Sequence, residues 1–168
     1  DRPVVITLRE AKHWPQRNSR FGNWLRFAGY LRSCVHDVVF VRDTAQADTP
    51  LNSELICPEA ARDLAIRMAL YQRAYCNLFT SNGPCTLGFF SEIPYLMFVP
   101  SDEDSEIIPY RPSWMARHNG FCAPEQLPWA GPTQRIVWQT DNYHTIMSAW
   151  TEMETALVEN SAWQRRTN

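Results

Sequence analysis

Val4-Val5-Ile6-Thr7-Leu8 and Val38-Val39-Phe40-Val41 are two short, continuous, β-branched apolar runs. A strand with one face in water alternates apolar and polar residues. These do not, so both of their faces are covered, as in a parallel sheet flanked by helices. Between them Phe21, Trp24, Leu25, Ala28 and Leu31 fall at helical spacing, with Asn18 or Ser19 placed to cap the helix start. The alternation then continues outward. Leu55-Ile56-Cys57 reads as a brief third strand, and Pro58 opens a helix whose apolar face is Ala61, Leu64, Ala65, Met68 and Tyr75. Asn77-Leu78-Phe79-Thr80 is a fourth strand, leading through Ser81-Asn82-Gly83-Pro84 into a short helix ending near Phe90. Pro94-Tyr95-Leu96-Met97-Phe98-Val99 and Arg135-Ile136-Val137-Trp138 are the fifth and sixth. Asp141 is placed to cap a last helix carrying Ile146, Ala149, Trp150, Met153 and Leu157. Residues 100–133 contain six prolines and read as a long irregular connection.

Strands alternating with helices, joined by right-handed crossovers, predict an α/β, doubly wound, mainly parallel Rossmann-like sheet. It has about six strands in order 3-2-1-4-5-6 and helices on both faces. Residues 1–160 are expected to form that single unit and 161–168 a frayed tail. A 168-residue chain that is 45% apolar, with seven Trp, eight Phe and six Tyr, is neither disordered nor short of a core. No apolar run reaches the length of a membrane span. The chain starts at Asp1 rather than Met, which leaves room for a leader or an upstream domain.

Charge is unevenly spread. Of 16 basic residues, 15 are Arg and one is Lys12. Residues 1–42 hold eight basic and three acidic side chains, a balance of +5; with a net charge of −2 overall, the remainder carries −7. A mildly acidic whole argues against a nucleic-acid partner, and a basic front end argues for a local anionic ligand. Most of the Arg excess is attributed to codon usage. The five cysteines form no CxxC and no metal spacing with His13, His36, His118 or His144, so neither metal nor cofactor is expected. Cys34, Cys76 and Cys85 read as reduced core thiols, which suits a cytoplasmic protein.

In such sheets ligands sit beyond the carboxyl ends of the strands where the winding reverses, here between the first and fourth strands. The loop after the first begins Arg9-Glu10; the loop after the fourth is Ser81-Asn82-Gly83-Pro84. Gly83 permits close backbone approach and Pro84 suits a first helical position. The N–H groups of Cys85 and Thr86 would then face an anion, with the Thr86 hydroxyl as a further donor and Arg9 supplying charge from across the crevice. Arg17 and Ser19 lie on the same face. The alternative is that Ser-Asn-Gly-Pro is only a turn and a helix start. Arg42-Asp43-Thr44 ends the second strand, where a sugar hydroxyl could be read, or where a loop salt bridge could form. Glu10, His13 and His144 are the available acid–base groups. Asp102-Glu103-Asp104 with Glu106 reads as a solvated loop, and Trp114, Trp129 and Trp138 are available for stacking or packing.

Ser81-Asn82-Gly83-Pro84-Cys85-Thr86-Leu87 resembles the Asp-Thr-Gly-Pro-x-His-Leu segment of heptosyltransferase-type GT-B glycosyltransferases. The larger pattern is similar to glycosyltransferase-like proteins of bacterial surface-polysaccharide clusters: Ile6–Glu10, Arg17–Ser19, Val41–Thr44, Arg67–Tyr71, Asn82–Pro84 and Pro94–Leu96. It spans residues 4–99, with Ile136–Trp150 compatible. The resemblance implies the C-terminal half of such an enzyme, binding a nucleotide-diphosphate sugar without a metal through Arg9, Arg17, Ser81, Asn82, Gly83, Pro84 and Thr86. It places the protein in the cytoplasm or peripherally at the inner membrane. Ser81 and Thr86 stand where the family has Asp and His. The family's catalytic base usually belongs to an acceptor domain outside this sequence, so no catalytic residue is carried over; that domain, or a second copy of the chain, would complete the enzyme. A non-catalytic nucleotide-binding or interaction module and a sugar-nucleotide epimerase are the competing readings.

Overall fold

The structure, a computed structural model, describes residues 2–160 and the backbone of the last helix as far as Thr167. The frayed tail expected at 161–168 lies outside the described residues. Six parallel strands, β1 (Val4–Thr7), β2 (Val38–Val41), β3 (Leu55–Ile56), β4 (Cys76–Thr80), β5 (Tyr95–Phe98) and β6 (Gln134–Val137), form one sheet in the order 3-2-1-4-5-6. β1 is central, pairing Val4 with Val38 on one side and with Cys76 on the other. The fold is the α/β, doubly wound, Rossmann-like sheet that the apolar runs predict.

Among the described residues six α-helices cover the two faces: α1 (Phe21–Ser33), α2 (Pro58–Arg62), α3 (Leu64–Arg73), α4 (Thr86–Phe89), α5 (Pro112–Asn119) and α6 (Tyr143–Thr167). Alternate strand residues serve opposite cores. Ile6, Phe40, Leu78 and Phe98 pack with Trp24, Phe27 and Leu31 of α1 and with Ile146 and Trp150 of α6. Val5, Val39, Phe79 and Met97 pack on the other face with Ala60, Tyr71 and Met115. Each fully buried side chain of this kind contributes about 1.5–3 kcal/mol relative to exposure. Among the described residues no helix is long and apolar enough to cross a membrane.

Several local expectations are corrected. The single helix after Pro58 is two, because Asp63 adopts extended backbone and its carboxylate accepts from Ala65 N (2.7 Å) and Ile66 N (3.0 Å), starting α3 afresh. The restart rotates the buried face onto Arg67 and Tyr71, leaving Leu64 and Ala65 exposed. Neither Asn18 nor Ser19 caps α1. Its cap residue is Arg20, whose N–H donates to the buried carboxylate of Asp141 (2.8 Å). Asp141 therefore does not cap α6; that role falls to Asn142, which accepts from Thr145 N (2.9 Å). Cys76 and Cys85 are buried thiols, but Cys34 is exposed, because it ends α1 beyond the last core residue, Leu31. The 100–133 connection is not wholly irregular, since α5 lies within it.

Candidate functional site

The loop after β1 folds back on itself. Arg9 N donates to Ser19 Oγ (2.8 Å) and Ser19 N to Arg9 O (2.9 Å), while the Ser19 hydroxyl donates to Thr80 Oγ1 (2.8 Å) at the end of β4. The loop after β1 is thus bonded to the end of β4, through the chain's own hydroxyls. Arg9 is only 8% exposed. Its guanidinium donates to the carbonyls of His13 (2.8 Å) and Trp14 (3.1 Å) and to Asn18 Oδ1. It braces the loop from inside rather than reaching across a crevice. Burial, and then the charge of Arg17, lower its pKa.

Arg17 is placed differently. Nε donates to the Tyr110 hydroxyl (3.0 Å), and the guanidinium lies 5.0 Å from the Tyr110 ring centre and 5.4 Å from that of Trp14. Such cation–aromatic contacts fix a planar cation without consuming its donors. No protein acceptor takes the terminal nitrogens of Arg17 among the described residues.

After β4, Asn82 caps a tight 3-10 turn, Gly83–Cys85. Asn82 Oδ1 accepts from Cys85 N (3.2 Å) and from the Cys85 thiol (3.0 Å). Thr86 N donates to Gly83 O and Pro84 O, and Thr86 Oγ1 donates to Gly83 O (2.8 Å). The donors expected to meet an anion, Cys85 N, Thr86 N and the Thr86 hydroxyl, are therefore satisfied within the turn. A capping Asn, covalently in place, is the nearer acceptor. Pro84 is the second residue of the turn, and a Cβ built on Gly83 would meet nothing within 4 Å. The Ser81 hydroxyl and the Asn82 side-chain N–H groups remain without protein partners among the described residues.

Beside this turn lies a cavity of about 250 Å³. Its lining includes the polar side chains of Arg17, Ser81, Asn82 and Thr86 and is otherwise largely apolar, with Met97, Trp114, Phe121, Ile136 and Trp138 prominent in it. The structure so unites Arg17 with the β4 turn and leaves Arg9 outside. Tyr110, Trp114, Asn119 and Phe121 come from the Pro-rich connection, whose short helix is marked in the sequence only by Pro112 at its start and by Gly120, left-handed (φ 76°), just past its end. Two of the three tryptophans noted in sequence serve here. Trp138 is held by donation from Nε1 to Glu125 O (2.8 Å), and Trp114 stacks on His118 at 4.1 Å. Trp129 instead stacks on Phe90, with its Nε1 on Phe89 O (2.7 Å).

The candidate acid–base groups lie elsewhere. Both Glu10 oxygens bind Arg42, with Nε at 2.9 Å, and that bond raises the pKa of Arg42. Arg42 also donates to Thr49 O (2.7 Å). Asp43 accepts from Glu10 N (3.3 Å) and Thr44 N (2.9 Å), so Arg42-Asp43-Thr44 is a loop-bracing network. His13 is exposed against Trp14, and His144 lines a separate cavity with Arg135 and Glu152. Glu103 bonds Ser113 in the acidic loop. Among the described residues no carboxylate or imidazole lines the cavity beside the β4 turn. Comparison with known protein families, curated proteins and solved structures finds no match.

Proposed function

We propose that the cavity binds a nucleotide-diphosphate sugar and that the chain is a glycosyltransferase-like domain of GT-B type, serving bacterial cell-surface polysaccharide synthesis. The observation that carries the reading is the cavity's two-part chemistry. Arg17, whose terminal nitrogens have no protein acceptor among the described residues, lines the cavity together with Ser81 and Asn82 and suits phosphate oxygens. The aromatic side chains of the lining, Trp114 and Trp138 among them, suit a flat base. Arg9, buried and without a carboxylate partner among the described residues, adds positive field but no direct contact.

In transfer, an acceptor hydroxyl oxygen bonds to the anomeric carbon while the bond from that carbon to the phosphate oxygen breaks. The diphosphate leaves with the electron pair. Arg17, fixed in advance by Tyr110 and Trp14, stabilises that developing charge. The acceptor's proton goes to a base supplied by another domain or subunit. No metal is required in this scheme.

The second reading, a nucleotide-binding module without catalysis, is favoured by a cavity lining that holds no carboxylate or imidazole among the described residues. The same observation disfavours an epimerase, since Glu10 is committed to Arg42 and His144 lies elsewhere. A thermal-shift panel of UDP, GDP, ADP, CMP and their sugars separates these readings from no nucleotide function at all. At least one nucleoside diphosphate or its sugar is expected to raise the melting temperature. A flat response across the panel overturns both nucleotide readings.

A further inference from the structure

We infer that a second cavity, sharing a wall with the first, takes an uncharged pyranose ring. It measures about 360 Å³. Trp14, Ile108, Pro109 and Trp114 give its apolar lining, and Gln16 and Glu106 its polar groups. Trp114 and Pro109 line both cavities, so the two are neighbours.

Three observations carry the assignment. The first is how Trp14 is held. Its backbone is left-handed (φ 52°, ψ 64°), a sparsely populated region for a bulky residue. Arg9 fixes it there through the carbonyls of His13 and Trp14, and Arg17 packs against the ring. The result is an indole held in one place yet 42% exposed. The second is chemistry. Aromatic rings carry a negative face and attract the weakly positive C–H bonds on one side of a pyranose. The hydroxyls around the sugar's rim need hydrogen-bonding partners. Gln16 and Glu106 have none from the protein among the described residues, and both are exposed. The third is charge. The Glu106 carboxylate repels an anion, so phosphate belongs to the Arg17 side and a neutral ring to this one.

The sugar contact stands on this cavity alone; its place in a transfer reaction rests on the diphosphate reading of its neighbour. The occupant is either the sugar of the nucleotide or a separate saccharide, and the same experiment tells these apart. The full chain, ¹⁵N-labelled, is titrated with methyl β-D-glucopyranoside, N-acetyl-D-glucosamine, UDP, UDP-glucose and UDP-N-acetylglucosamine. The indole N–H signals are followed, that of Trp14 being assigned by its loss in Trp14→Phe. A saturable shift of this signal is expected with a free saccharide, or with a sugar nucleotide beyond any shift that UDP causes. That response is expected to weaken at least tenfold in Glu106→Ala, an exposed change that spares the fold. If UDP binds but no saccharide, free or linked, moves Trp14, the subsite is overturned while the nucleotide reading stands. If a saccharide moves Trp14 and no nucleotide binds, the subsite stands and the diphosphate reading falls. A Trp14 shift that follows protein concentration alone marks a contact between copies and overturns the proposal.

Discussion

The Arg9 guanidinium donates to two carbonyls and an amide oxygen of its own loop, whereas among the described residues Arg17 donates through Nε alone, to Tyr110. Substitution separates these roles. Arg9→Ala leaves the His13 and Trp14 carbonyls without their donor and is expected to cost about 2 kcal/mol, read from urea denaturation. Arg17→Ala removes one half-buried hydrogen bond and two ring contacts and is expected to change stability by no more than about 1 kcal/mol. The sequence located both arginines at the strand ends, because strand 1 and its exit are fixed by Val4–Leu8. From sequence Arg9 comes first, as the charge facing the crevice, yet in the structure its guanidinium is the one consumed. Which guanidinium is consumed depends on Asn18 and on carbonyls that meet only once the loop closes through Ser19 and Thr80.

The helix starts show the same division between local and distant causes. Asp63 caps α3 through two adjacent amides, a signal contained within the chain segment itself. Asp63→Ala is expected to lower stability by about 1 kcal/mol. Asp141 acts across the molecule. Only 5% exposed, it accepts from Arg20 N (2.8 Å) and from Trp24 Nε1 (2.6 Å), joining the start of α1 to the strand 6 exit. Asp141→Ala strands both donors in or beside the core and is expected to cost about 2–4 kcal/mol, measured by the denaturation midpoint. From sequence, Asp141 before a helix reads as that helix's cap, since the residues it serves are over a hundred positions away. The Pro-rich connection was opaque for a related reason. α5 is short, and its Met115 and Trp114 are ordered by packing on the sheet, not by a long periodic pattern.

At the scale of the molecule the six-strand order was legible, because buried parallel strands are continuous apolar runs and the crossover rule leaves little choice of winding. What that order buries also sets its alkaline limit. Burial pushes Cys76 and Cys85 from 9.0 up to about 12, and Tyr71 and Tyr95 from 10.0 up to about 12. Each group holds its proton more tightly folded than unfolded. Their contribution is therefore complete below about pH 9 and is lost as pH rises toward 12, by about 1.4 kcal/mol per pH unit for each group once it ionises only in the unfolded chain. The urea midpoint should hold steady from about pH 7 to 8.5 and fall above it. The fall should be shallower in a Cys76→Ala, Cys85→Ala variant. The cavity depends on this sheet for its floor and on Arg17 for its charge, and calorimetric titration of the best nucleoside diphosphate into wild type, Arg17→Lys and Arg17→Ala tests that dependence most directly. Arg17→Ala should bind at least about tenfold more weakly, a loss of about 1.4 kcal/mol, with Arg17→Lys between. Equal affinity in wild type and Arg17→Ala would contradict the account.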